Sequence, residues 1–333
     1  MTTRRTAILG TGGWGTALTL LWAEAEHEII LWGHTAERVE EIRRTRQNPD
    51  YLPGAQLPVN VCLTSKLSDC AGADLIVFVT PSVALREVAT ALQAEMSNPA
   101  AILMSCTKGI EHGSGMRMSE ILHEKFPENP VAVLSGPNLA VEVARGLPSA
   151  TVLGCRDRSV AEELQALLGS SRFRVYSSEE IVGIELGGAL KNIFAIPAGV
   201  SDGFGFGDNS KAALVTRSLA ELLRLGVSMG GDARTFQGLS GAGDLIATCF
   251  SKHSRNRQLG EQLGKGRKLE EITSGMKTVA EGIPTARSAF ECARKVGVET
   301  PIIDQVYAVL HEGKSPAQAM QELLGRDQKS ECG

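Results

Sequence analysis

A lysine set in an apolar helical stretch is the feature of this 333-residue sequence best suited to chemistry. Residues Glu185-Leu186-Gly187-Gly188-Ala189-Leu190-Lys191-Asn192-Ile193-Phe194-Ala195-Ile196 surround Lys191 and Asn192 with nonpolar neighbours. Burial disfavours the charged form of an amine and lowers its pKa, which suits proton transfer near neutral pH. A lysine on an exposed stripe, its aliphatic stem covering apolar surface, fits the same residues equally well. Gly241-Ala242-Gly243-Asp244-Leu245 adds a carboxylate in a glycine-rich turn, fit either to orient an amine or to cap a helix. Ser254-Arg255-Asn256-Arg257 brings hydroxyl, guanidinium and amide donors to an expected helix start, a composition that suits phosphate. Short basic runs more often face water, so this tetrapeptide is only moderately specific by itself.

A second set of residues points to a nucleotide. Gly10-Thr11-Gly12-Gly13-Trp14-Gly15 follows an apolar strand pattern and precedes a helical one, the context in which GxGxxG binds a dinucleotide. Gly10 permits the tight turn, Gly12 lets the backbone approach a pyrophosphate, and Gly15 lets helix and strand pack closely. The acidic residue that usually meets the adenosine ribose is expected about 20 residues on, at the end of the second strand. Trp32-Gly33-His34 stands there instead. His34 and Arg38 suit a 2′-phosphate, which favours NADPH or at least tolerates it, and they suit a solvated helix start as well. Val79-Thr80-Pro81-Ser82, Cys106-Thr107-Lys108-Gly109 and Ser135-Gly136-Pro137-Asn138 also follow strand patterns, so three more loops are expected at the same sheet edge.

The elements needed to position these loops are legible as a change of period. Short aliphatic or β-branched runs at 6–9, 28–32, 59–63, 75–80, 101–106, 132–135, 151–154 and 174–176 alternate with amphipathic stretches, as a parallel sheet with crossover helices requires. Beyond residue 178 helical periods dominate, at 181–200, 211–229, 257–263, 284–296 and 303–311. The expected architecture is α/β: a Rossmann-like doubly wound, dinucleotide-binding domain over residues 1–180, then an all-α substrate and catalytic domain over 181–333.

Composition narrows the function. Hydrophobic residues make up 43% and charged residues 22%, ordinary globular usage that excludes disordered and fibrous chains. Lys+Arg 34 against Asp+Glu 38 gives a formal charge of -4, and no basic stretch is interleaved with aromatics, so nucleic acid is not an expected partner. The seven cysteines are scattered, with no metal-ligand spacing, which fits a reducing cytoplasm and no metal site. Arg4 and Arg5 precede an apolar stretch that Gly10 soon interrupts, unlike a signal peptide. Unbroken apolar runs fall short of the roughly 18 residues of a membrane span.

Together the motifs resemble those of bacterial NAD(P)-dependent glycerol-3-phosphate dehydrogenase: GTGGWGTAL at 10–18, TKG at 107–109, SGPN at 135–138, ELGGALKNIFAI at 185–196, DNSKAALVTR at 208–217, GAGDLIATC at 241–249 and SRNR at 254–257. They occur in the family's order and cover nearly the whole chain. The resemblance implies interconversion of dihydroxyacetone phosphate and sn-glycerol 3-phosphate with NADPH or NADH, in the cytoplasm, for phospholipid synthesis, and a homodimer. It makes Lys191 the proton acceptor, and Lys108, Gly136, Asp244, Ser254, Arg255 and Asn256 substrate contacts. Gly13, Trp14, His34, Lys108, Ala140, Arg255 and Glu281 become cofactor contacts. Three positions depart from the family pattern. Asn138 replaces a hydroxyl residue among the expected substrate contacts, Glu26 replaces a turn glycine, and Pro197 lies in the Lys191 helix, where it should free the Ile193 carbonyl and kink the helix. Two other readings remain: a related β-hydroxyacid-type dehydrogenase, against which SRNR argues, and a noncatalytic nucleotide sensor, which has no need of a lysine and a phosphate clamp.

Overall fold

The computed structural model describes residues 4–23, 28–276, 279–327 and 330. Glu26 lies outside them. Strands β1 (Arg5–Leu9), β2 (Glu28–Trp32), β5 (Cys62–Thr64), β6 (Leu75–Phe78), β7 (Ile102–Ser105) and β8 (Val131–Ser135) form a parallel array in the order β8-β7-β6-β1-β2-β5. This is a doubly wound sheet whose direction of growth reverses between β1 and β6, where open α/β sheets bind ligands. Neighbouring residues on each strand face opposite sides. Ile8, Leu31, Val77 and Met104 join one core, and Leu9, Ile30, Ile76 and Leu103 join another. Helices cover both faces, which is why the strands read as unbroken apolar runs rather than alternating ones.

The array is extended by β9 (Ser149–Cys155) and β10 (Phe173–Ser178), which are parallel to each other, but β9 runs antiparallel to β8. The doubly wound expectation holds, and the antiparallel pairing of β9 with β8 was not visible in the sequence because a strand alternation does not encode direction. The sequence also conceals a small antiparallel pair, β3 (Gln47–Asn48) with β4 (Leu52–Gln56). The strand expected at 59–63 begins at Cys62, and Val59 lies exposed at 87%.

After β10 the described residues form helices. The Ile181–Gly203 helix is apolar around its circumference and buried along almost its whole length, as a central helix must be. It continues through Pro197 to Gly203, so the proline does not end it. By length and composition this helix is apolar enough to cross a membrane, yet 89% of its most apolar window is buried inside the protein. Reading unbroken apolar runs alone missed it, because Glu185, Lys191 and Asn192 interrupt the run. The Arg255–Gly264 helix packs against it backbone to backbone: a Cβ on Gly199 would lie 1.9 Å from the Arg257 carbonyl oxygen, and one on Gly260 1.8 Å from that of Ile196.

Candidate active site

Lys191 sits midway along the central helix and is 7% exposed. Its Nζ donates to Asp244 Oδ1 at 2.7 Å and to Thr248 Oγ1 at 2.6 Å. A second amine takes the other carboxylate oxygen: Lys108 Nζ, from the loop after β7, donates to Asp244 Oδ2 at 2.5 Å and to the Gly136 carbonyl after β8 at 3.0 Å. The helix can bring Lys191 this close because Gly187 and Gly188 precede it. A Cβ on Gly187 would lie 2.7 Å from the Ser240 carbonyl oxygen, and one on Gly188 2.3 Å from Ser135 Oγ at the end of β8. Asp244 is delivered by the π-helical turn Leu239–Gly243 and opens the helix Asp244–Phe250, so that Thr248 follows one turn later on the same face.

The electrostatics follow from burial and pairing. Burial pushes the Lys191 ammonium down, the Asp244 carboxylate pulls it back up, and the Lys108 charge lowers it again, leaving a pKa of about 8. Burial alone would raise Asp244, but Lys108 and Lys191 outweigh it and hold the carboxyl below its ordinary range. A lowered amine beside a carboxylate held low is the arrangement suited to proton transfer near neutral pH. The snorkelling alternative for Lys191 is thereby excluded, since its amine does not reach water along an exposed stripe.

The Ser254–Arg257 segment, expected from its composition to suit phosphate, lies one step along the same helices. Asn192 Oδ1 accepts from Asn256 Nδ2 at 2.9 Å, and Asn256 Oδ1 accepts from the Gly282 N–H at 2.9 Å. Ser254 caps the Arg255–Gly264 helix by accepting from the Arg257 N–H at 3.2 Å. Arg255 is exposed and donates to the Val279 carbonyl at 3.0 Å. The other arginine of the tetrapeptide faces away: Arg257 pairs with Asp202 and, at 2.9 Å, with Glu261. Beside Gly282, Glu281 accepts from Ser82 N at 3.0 Å and from Ser82 Oγ at 2.6 Å, tying this group to the loop after β6. Asn138 does less than its position suggests. Its amide donates to the Ala150 carbonyl at 3.0 Å, a bond within the sheet-edge turn.

The glycine turn has the shape a dinucleotide requires. Gly10 has φ +137°, and a Cβ there would lie 2.7 Å from the Val79 carbonyl oxygen after β6; one on Gly15 would lie 1.9 Å from the Gly10 carbonyl oxygen. At Gly12 a Cβ would meet nothing within 4 Å, so the turn is open there, at the start of the Gly13–Ala23 helix. Ala140 stands beside Gly13, Trp14 packs on the core beneath, and the His34 ring lies edge-on to Trp32 at 6.2 Å beyond β2.

Family models of the NAD-dependent glycerol-3-phosphate dehydrogenase N-terminus and C-terminus match residues 5–161 and 180–321. The chain belongs to this family. It is 46% identical over 329 residues to the glycerol-3-phosphate dehydrogenase [NAD(P)+] of Chlorobium chlorochromatii, covering 98% of both chains. It is 46% identical over 330 residues to that of Streptomyces coelicolor, again with 98% of both covered. The crystal structure of glycerol-3-phosphate dehydrogenase from Coxiella burnetii superimposes with a TM-score of 0.94 at 38% identity, over 97% of this chain and 99% of that one.

As a member of the glycerol-3-phosphate dehydrogenase family, the chain assembles Lys191, Lys108, Asp244 and the Gly136 carbonyl into one contact cluster. Asn256 is linked to it through Asn192, while the glycine turn lies at the β1 end of the same sheet edge. Sequence reasoning missed Thr248. Its signal, a hydroxyl four residues after Asp244, is meaningful only once Asp244 is known to start a helix. It also missed the Ser82 contact with Glu281, which joins residues 199 positions apart.

Proposed function

We propose that the protein carries out the NAD(P)-dependent interconversion of dihydroxyacetone phosphate and sn-glycerol 3-phosphate with Lys191 as its proton donor and acceptor. The observation that carries the assignment of roles is the buried pair of amines on one carboxylate, at the carboxyl edge of a doubly wound sheet. Bound nicotinamide supplies or accepts a hydride. In the reductive direction protonated Lys191 donates from Nζ to the oxygen that becomes the hydroxyl, and in the oxidative direction neutral Lys191 accepts that proton. Asp244 and Thr248 fix the direction of the amine, and Lys108 places a second positive charge where the carbonyl oxygen gains negative charge. Arg255, Ser254 and Asn256 bind the phosphate by charge-assisted and amide hydrogen bonds. Gly10, Gly12, Gly13 and Gly15 seat the pyrophosphate, and Glu281 and Ala140 line the cofactor's path. The six cysteines among the described residues are free, which supports a reducing cytoplasmic setting; there a homodimeric enzyme supplies glycerol 3-phosphate for phospholipid synthesis. Loss of NADPH absorbance on adding dihydroxyacetone phosphate tests the activity. An inert mixture with either NADPH or NADH would overturn it.

A further inference from the structure

We infer that Arg38, braced by Tyr51 and Asn48, is the residue that selects an adenosine 2′-phosphate and so separates NADPH from NADH. The inference rests on the dinucleotide reading of the glycine turn and adds the residue that reads the far end of the ligand. The end of β2, where a carboxylate would meet a ribose diol, touches both structures that matter. A Cβ on Gly33 would lie 2.9 Å from Thr11 Cγ2 in the glycine turn and 2.7 Å from Val39 Cγ2 in the Ala36–Thr45 helix. Arg38 precedes Val39 in that helix. Its Nη2 donates to Asn48 Oδ1 at 3.1 Å, and the buried Asn48 amide in turn donates to the Thr11 carbonyl at 2.8 Å and to Thr16 Oγ1 at 2.9 Å.

The guanidinium is held ready. It lies over the Tyr51 ring, 4.2 Å from the centroid, and the Arg38 side chain keeps 28% of its surface exposed. Its Nε is buried with no hydrogen-bond partner. The Asp50 carboxylate lies 3.4 Å from Nη2 and is itself 42% exposed, so this ion pair is weak in water. A planar cation stacked on an aromatic ring and partly open to solvent is preorganised for a phosphate dianion. A neutral ribose hydroxyl gains much less from it. Anchoring through Asn48 to the glycine turn sets the distance between the pyrophosphate seat and the 2′-phosphate seat.

Calorimetry of the unaltered protein with 2′,5′-ADP and with 5′-ADP tests the idea without turnover. The 2′,5′ compound is expected to bind about 10- to 100-fold more tightly, the range of one charge-assisted contact. Equal affinities would overturn the proposal. Arg38→Ala should abolish that difference, and should lower the ratio of kcat/KM for NADPH to that for NADH by a similar factor, with Arg38→Lys falling between. A ratio within twofold of the parent in Arg38→Ala would also overturn it. Failure to reduce dihydroxyacetone phosphate with either nucleotide would instead count against the activity, which the ADP comparison does not depend on.

Discussion

In the proposed reaction Lys191 moves the proton, and its burial gives a quantitative handle. General acid–base catalysis contributes roughly 10²- to 10⁴-fold, so Lys191→Ala is expected to lower turnover by about that factor while NADPH binding, followed by fluorescence, persists. Retention of more than about a tenth of turnover would remove Lys191 from the reaction. Lys191→Arg should be nearly as damaging, since a guanidinium does not give up its proton. With a pKa of about 8, the reductive rate, which needs the ammonium, should fall as pH rises through that value, and the oxidative rate should rise. Asp244 raises that pKa by stabilising the charged amine. Asp244→Asn should therefore shift both limbs to lower pH, and a profile that moved upward or not at all would show that the carboxylate does not set the proton affinity. Lys191 and Asp244 stood out in the sequence as charges in an apolar and a glycine-rich context, but that context left a snorkelling amine and a helix cap equally open until the fold showed their burial and pairing. Asn138 was legible only as a departure from a pattern; its sheet-edge bond to Ala150 depends on β9 lying beside β8, which the residues do not announce.

Elements were legible where burial imposes a period and opaque where pairing partners decide. The unbroken apolar strands and the long helices carry their own signal. The antiparallel turn of β9 and the β3–β4 pair carry none, since strand direction and two-residue pairings are settled by what lies alongside. The same contrast applies to the contact between the Ile181–Gly203 and Arg255–Gly264 helices. Gly199 and Gly260 look like helix-weakening residues in isolation, yet each presses on a carbonyl of the facing helix. That contact brings Asn192 to Asn256 and so couples Lys191 to the segment proposed to bind phosphate. Gly260→Val would force its added carbons onto the Ile196 carbonyl, 1.8 Å from the new Cβ. Overpacking of this kind costs about 3 kcal/mol, sometimes more, and chemical denaturation should show it. A change within about 0.5 kcal/mol would mean that the helices separate without penalty.

At the scale of the whole molecule, the proposed reaction needs the sheet and the helical part held in one register, because Lys108 comes from one and Lys191 from the other. The Asp244 bridge joins them at the site, and Ser82 with Glu281 joins them beside it. Behind the site a third tie is buried. Glu185, in the Lys191 helix, accepts from the Ser119 N–H at 2.8 Å, from Ser119 Oγ, and from Arg117 Nη1 at 2.6 Å. It thereby satisfies one N-terminal N–H of the Met118–Lys125 helix, which packs on the sheet. Removing one partner of such a pair leaves the other charge buried and unmatched, at a cost of about 3–5 kcal/mol, whereas replacing both by apolar residues of similar volume is often neutral. Glu185→Ala should therefore lower stability by about that amount in denaturant titrations, and Arg117→Met with Glu185→Leu should recover most of it. If the pair also sets register, the double variant will regain stability without regaining kcat, because nothing then fixes Lys191 against Lys108. Recovery of both together would show that packing alone aligns the two parts and that the ion pair does no more than fill the interface.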